Sequence, residues 1–348
     1  MSSNTQEQNS GKDSTNVQAG RDVIFTGISY ADVRQISEDV FKKNLLELQG
    51  EAQVIAQQRV DKLVADYLAT LQKKDIPLDE IKDPDMQYTL FSAQRDYARM
   101  GREDLKEILV GILVERTKTI DNDMKRIVLN EAIQVAPKLT LKQLNSISVC
   151  FLIGFSIDNS INSVEGFNNY LKLKILPFCQ DLAHYTSDYQ HIEYAGAGAI
   201  ATFKNNLCFF LRKNYSGVLS IGFDEAVIES LEFNKVQREK LFIPCLRDKK
   251  KWQISAINDQ YITDVGNQLG LNEQKISELK NLQNKYLLSE KILEEELALL
   301  DSSFAGLFHI WNNVGLGQLR LTSVGISLAH ANIKRTIGID LDLSIWIQ

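Results

Sequence analysis

Asp340 and Asp342 stand two residues apart in an alternating apolar and polar run, a spacing that sets both carboxylates on one face of an extended chain. Carboxylates so placed can hold a divalent ion or share acid–base work at a scissile bond. A plainer reading is available, because the opposite face of that run is wholly apolar and the aspartates then form its wetted side. His184 and His191, with Cys179 and Glu193 nearby, come nearest to a ligand cluster, but a spacing of seven matches no zinc pattern. His309 and His330 stand alone. Gly196 to Gly198 is neither a dinucleotide nor a phosphate-loop fingerprint, and no GxSxG elbow occurs. These residues therefore predict no catalytic set, no metal and no cofactor, and a hydrolase or nuclease built on Asp340, Asp342, His184 and His191 is the third of three functional readings.

Two other groups of residues suggest binding. Asn16 to Phe25 combines Val17, Val23, Ile24 and Phe25 with Gln18 and Gly20 and holds no proline. Such a segment favours an extended chain that can join a sheet edge or an identical segment of another subunit. Its alternative is an ordinary strand within the chain, paired to the apolar C-terminal run. Arg320, Lys334 and Arg335 near the C-terminus could instead meet phosphate, which gives the second reading, a nucleic-acid-binding regulator.

The composition narrows the classes. The chain has 348 residues, 44% of them hydrophobic and 24% charged, with five prolines, so most of it is expected to fold around a sizeable core. A net charge of -6 argues against a broad electrostatic footprint on nucleic acid or anionic lipid. Lys249 to Lys251, the tightest basic cluster, reads as a solvated loop. Cys150, Cys179, Cys208 and Cys245 lie beside apolar neighbours without a CxxC pair, as buried thiols do in a reducing compartment. No secretory signal is visible, and Ile147 to Phe155 is far shorter than the roughly 20 residues of a membrane helix. A cytoplasmic protein that does not enter a membrane is expected.

The elements that must position these residues are mostly helices. Residues 1–27 form a polar tail carrying the β-prone motif. Ser29 and Asp32 make a capping arrangement, after which Phe41, Leu45, Leu48, Ala52 and Ile55, then Leu63, Tyr67 and Leu71, follow a helical stripe to about Lys73, as one helix or two broken near Gly50. Arg59 interrupts that stripe, which favours packing on the chain's own core over a coiled coil. Helices are predicted from Asp83/Pro84 to Met100, Glu103 to Thr117, Asp121 to Val135 and Leu141 to Phe155, with short connections that suit a bundle. Val164 to Tyr185 should be helical, kinked or divided at Pro177, and Asn272 to Leu300 should be one charged helix. Helix Phe304 to Asn312, strand Leu319 to Leu321, helix Ser323 to Ile333 and strand Ile337 to Ile347 complete the chain.

The fold class is thus mainly α: a multi-helix bundle with a small C-terminal α+β cap and a β-prone N-terminal tail. The units are 1–27, 28–157, 158–303 and 304–348.

Three resemblances follow from particular residues. Val17-Gln18-Ala19-Gly20 resembles the Val-Gln-x-Gly core of RHIM and bacterial amyloid-signalling motifs, which implies cross-β templating. Ser14 to Val23, with Tyr30-x-Asp32-Val33-Arg34-Gln35, Leu113-Val114-Glu115-Arg116 and Leu129-Asn130-Glu131-Ala132, resembles an uncharacterised bacterial family, which implies no activity. Val314-Gly315-Leu316 with Leu319-x-Leu321-Thr322-x-x-Gly325 is similar to the ending of Abi-alpha abortive-infection proteins and of winged-helix domains, where a strand delivers a threonine cap to a helix. Phe304 to Asn312 has no Lys or Arg to serve as a recognition helix. The first reading is therefore a non-enzymatic bacterial sensor, adaptor or scaffold that assembles with itself or a protein partner, in phage defence if the last resemblance extends to function.

Overall fold

The computed structural model describes residues 29–44, 50–120 and 123–347. The segment 17–25 lies outside them.

Helix α1 (Tyr30–Asn44) starts on a reciprocal cap: Ser29 N donates to Asp32 Oδ2 at 2.8 Å and Asp32 N donates to Ser29 Oγ at 3.2 Å. Gly50, at φ +62°, opens α2 (Glu51–Lys73). α3 (Pro84–Met100) has the bounds its sequence predicts, because Asp83 caps Met86 N, Pro84 fits the first turn, and Gly101 ends the helix in the left-handed region. α4 (Glu103–Lys118), α5 (Asp123–Val135) and α6 (Leu141–Gly154) follow, the last held by a complete capping box between Thr140 and Gln143.

The stretches around Arg116 and Asn130 meet in a polar hub built on one buried arginine. Arg116 is fully buried, donating to Asp85 Oδ2 at 2.8 Å and to Asn130 Oδ1 at 3.1 Å, with Glu80 at 3.6 Å. Asn130 Nδ2 donates to the same Asp85 oxygen. The hub ties the start of α3 to α4 and α5.

In the middle of the chain, α7 (Val164–Tyr170) runs through a π turn, Leu171–Ile175, into α8 (Leu176–Cys179). Pro177 sits in the first turn of α8, where its missing N–H and ring are accommodated, so the helix ends well before Tyr185. α9 (Thr186–Tyr194), β1 (Gly198–Ile200), α10 (Leu207–Tyr215), α11 (Glu225–Glu229), α12 (Lys235–Leu241), β2 (Phe242–Pro244) and β3 (Trp252–Ile254) come next. Beyond α13 (Asp259–Gln268), the expected single charged helix is two, α14 (Glu273–Lys285) and α15 (Glu290–Leu300). The chain breaks there because Leu287 bridges Ser220 and Ser289 Oγ caps Ile292 N. α16 (Ser303–His309), a π turn, β4 (Leu319–Leu321) and α17 (Ser323–Ile337) close the order.

β4 pairs antiparallel with β1, Ala199 opposite Arg320, and β2 pairs with β3. α17 packs against α4, α5 and α6 and is buried from Val324 to Ile333, as a helix in the middle of a core must be. The main core draws on residues from Val33 to Ile347, and a second cluster gathers Phe223, Phe242, Ile254, Ile262 and Leu279.

The C-terminal run is not a strand. Ile337, Ile339 and Leu341 are half-buried and Leu343 is buried, with Gly338, Asp340 and Asp342 exposed, so the period of two is real. Its apolar side lies directly on the helices, without a ladder, and a 3-10 turn at Leu343–Ile345 then reverses the pattern. Ile345 is left outside, while Trp346 donates from Nε1 to Phe155 O at 3.0 Å and Ile347 is buried.

Candidate functional site

Three helices near the start of the described chain leave an open apolar groove of about 530 Å³. α1 supplies Phe41, α2 supplies Ile55, Ala56 and Arg59, and α3 supplies Phe91, Arg95 and Arg99. Positions 91, 95 and 99 fall on one face of α3 because a helix returns every three to four residues. Phe41, Ala56, Val60, Val64 and Ala98 form a small apolar cluster of their own beneath it.

The rim is cationic. Arg59 Nη1 donates to Ala98 O at 2.8 Å and Arg99 O at 3.3 Å, satisfying carbonyls at the end of α3. Asp96 faces both other arginines, Arg95 at 3.1 Å and Arg99 at 3.6 Å, whose side chains stay 54% and 71% exposed. Two guanidinium groups, Arg95 and Arg99, thus face one carboxylate, with Arg59 held on the α3 carbonyls, above an apolar floor that includes the half-exposed Ile55. Among the described residues no nucleophile or proton-transfer pair lines the groove. Its arginine and apolar side chains are of the kinds that can meet carboxylates and apolar groups. The sequence signal was present in the four-residue spacing of Phe91, Arg95 and Arg99, but Arg59 read only as an interruption of a seam.

The residues picked out by sequence are dispersed. The assembly motif Val17, Gln18, Gly20, Val23, Ile24 and Phe25 lies outside the described residues. Arg320, on β4, donates from Nη1 to Gly317 O and Leu319 O. Lys334 and Arg335 share the last turn of α17, where Lys334 holds Asp340 at 2.8 Å and Arg335 donates to Asn332 Oδ1. Asp342 accepts from Ser344 N within its own turn, whereas Asp340 is held by Lys334. His184 is exposed, whereas His191 Nδ1 is 3.1 Å from Gln143 Nε2. Among the described residues no group of three or more His, Cys, Asp and Glu could hold a metal ion.

All four cysteines are free and buried. Burial pushes the Cys150, Cys179 and Cys208 thiols up to about 12, which disfavours the thiolate at neutral pH.

Sequence reading missed the partners of His330. This side chain is buried on α17, and its Nε2 accepts from Leu341 N at 3.1 Å, which requires the neutral ring. Burial, and Lys334 beside it, hold its pKa below the usual histidine value. Asp340 lies 3.4 Å away and also binds Lys74 at 3.2 Å, so α2, α17 and the C-terminal segment meet in one ionic cluster. Burial raises the Asp340 carboxyl, but Lys334 and Lys74 outweigh it and hold the group down to about 2. The cluster fastens the C-terminal segment to the bundle.

Among the described residues no helix is long and apolar enough to cross a membrane. Comparison with curated proteins and with solved structures gives no match. A protein-family model described as ":-like" matches residues 27–347, and the chain belongs to that family.

Proposed function

We propose that the chain is a non-enzymatic bacterial scaffold or adaptor that assembles with copies of itself, the arginine-rimmed groove of one copy taking helix α15 of the next. The groove carries this reading. α15 offers what its chemistry asks for: Ile292 is 45% and Leu299 88% exposed, Glu295 lies between them on the same face, and Glu294 stands beside it. Ile292, Glu295 and Leu299 sit at spacings of three and four, a stripe suited to a helix laid in a groove. Groove and stripe are different surfaces, so the contact is heterologous and continues from copy to copy.

Residues 17–25, just ahead of α1, supply a second assembly element in this reading, by β-type pairing. The similarity of the C-terminal run to Abi-alpha proteins supports placing such an assembly in phage defence. Nucleic-acid binding would draw on the donors of Arg320, Lys334 and Arg335 that their bonds within the chain leave over.

Light scattering across a concentration series tests the groove contact. Arg95→Glu and Glu295→Arg should each weaken association at least about tenfold through like-charge contact, and mixing the two variants should restore it pairwise. A wild-type chain that stays monomeric, or assembly indifferent to both changes, overturns the proposal. A form lacking residues 1–27 should assemble less tightly than the full chain.

A further inference from the structure

α17 ends at Gly338, which takes φ +72° with open space where a side chain would stand, and the chain turns there into a segment that lies back over the bundle. That segment is fastened at three points. Lys74 on α2 and Lys334 on α17 hold Asp340 at 3.2 and 2.8 Å. Leu341 N donates to His330 Nε2 at 3.1 Å. Trp346 Nε1 donates to Phe155 O and its ring stands 4.9 Å from that of Phe151, so the segment covers the end of α6.

The middle fastening is conditional. Nε2 accepts from Leu341 only while it carries no proton, and protonation sets a second donor against that N–H. The ring is 3% exposed, so a charge on it would be held away from water while the segment is in place. The charged groups around it are Lys334 on α17, Glu115 on α4, and Asp340 and Asp342 on the segment, with Lys74 on α2 and Lys125 on α5 next to these. Its two counter-charges are already engaged: Asp340 Oδ1, 3.4 Å from Nε2, is shared with Lys334, and Glu115 meets Lys125 at 2.8 Å. Burial and Lys334 outweigh both carboxylates and hold the ring below the usual histidine value.

We infer that the C-terminal segment is a pH-sensitive strap: as His330 takes a proton, the segment opens more often about Gly338 and uncovers the aromatic end of α6 at Phe151 and Phe155. The open state gives the ring the water it lacks when the strap is closed. The fastening is therefore fully present above the ordinary histidine value of about 6.5 and weakens as pH falls below it. The groove on α1, α2 and α3 plays no part in this device.

Hydrogen exchange on the full chain, read on peptides covering residues 339–347 and corrected for the intrinsic pH dependence of exchange, tests the strap. Between pH 7.5 and 5.5 its protection should fall roughly five- to tenfold, tenfold being about the limit that linkage sets one pH unit below an open ring titrating near 6.5. Peptides from the middle of α4 and α6 should keep their protection. His330→Gln retains an acceptor that takes no proton and should flatten the fall. Because His330 is buried, Lys334→Gln in the last turn of α17 serves as the second variant: it removes the cation beside the ring, so it should loosen the strap at both pH values and shrink the fall between them. Protection of 339–347 that does not change with pH, a fall of the same size in both variants, or a parallel loss in α4 and α6 overturns the proposal.

Discussion

Replacing Arg116 with methionine keeps most of the side-chain stem and removes its charge and donors. In the native chain the guanidinium is fully buried and satisfies Asp85 and Asn130 directly, while Glu80 lies at 3.6 Å with one carboxylate oxygen that has no hydrogen bond. Removing one member of a buried ion pair costs about 3–5 kcal/mol, because the remaining charge has lost both water and partner. Asp85 is 49% exposed and can recover water, which places the expected loss at the lower end, about 3 kcal/mol. With an unfolding entropy of about 2 cal/mol/K per residue, that lowers the melting midpoint of a chain this size by about 4 °C. Calorimetry at pH 7 measures it. The pH dependence adds an independent signature. Burial raises the Asp85 carboxyl, but hydrogen bonds from Arg116 and Asn130 and the Arg116 charge outweigh it, leaving the pKa below the usual aspartate value. The stability this contributes is fully present above the unfolded aspartate value and is lost as pH falls through the lower folded one. That acid-dependent loss should shrink in Arg116→Met, and Asp85→Asn should cost less when combined with Arg116→Met than in the native chain. A midpoint shift under about 1 °C, or strictly additive effects of the two substitutions, would falsify the view that Arg116 organises this hub.

His330 has a lowered folded pKa through burial and Lys334, while Lys74, Glu115, Asp340 and Asp342 also bear on the cluster. Its contribution is therefore present above the ordinary histidine value of about 6.5 and lost as pH falls through the lower folded one; urea midpoints between pH 5 and 8 should show that slope in the native chain and lose it in His330→Gln. Gly325→Ala should destabilise by about 1–3 kcal/mol, the cost of overpacking, because an added Cβ would overlap the Ala197 carbonyl oxygen; chemical denaturation that finds no loss would mean the start of α17 can move away.

The parts of this fold that sequence makes visible are those fixed by local chemistry. Asp83, Pro84 and Gly101 bracket α3 because capping, a fixed φ and a left-handed stop each act within a few residues. Thr322 does the same for α17: its Oγ1 accepts from Gly325 N at 3.2 Å, and Gly325 is required where the helix meets Ala197. The short strand at Leu319–Leu321 was legible, but its partner, Gly198–Ile200, was not, since the two are separated by most of the second half of the chain. The charged stretch after Asn272 hid a break because Leu287 leaves the helical pattern only to meet Ser220. The groove was illegible for a related reason: it exists only where faces of α1, α2 and α3 come together, and no local pattern announces that Arg59, Arg95 and Arg99 share one rim.

The C-terminus also bears on the expectation that residues 17–25, which lie outside the described residues, pair with Ile337 to Ile347. Pairing with Ile337 to Ile347 inside the same chain required that run to be a strand with a free edge. Its side chains are instead committed to the bundle: Leu343 and Ile347 are buried, and the Trp346 ring lies 4.9 Å from Phe151. Lifting the run out to form a ladder would expose those groups at about 1.5–3 kcal/mol for each fully buried aliphatic side chain, and would also break the bonds to His330 and Phe155. A few new ladder hydrogen bonds, each worth about 1 kcal/mol net, do not offset that. The C-terminal run is therefore held as a packed segment, and the strands of the β1–β4 and β2–β3 pairs are only three residues long.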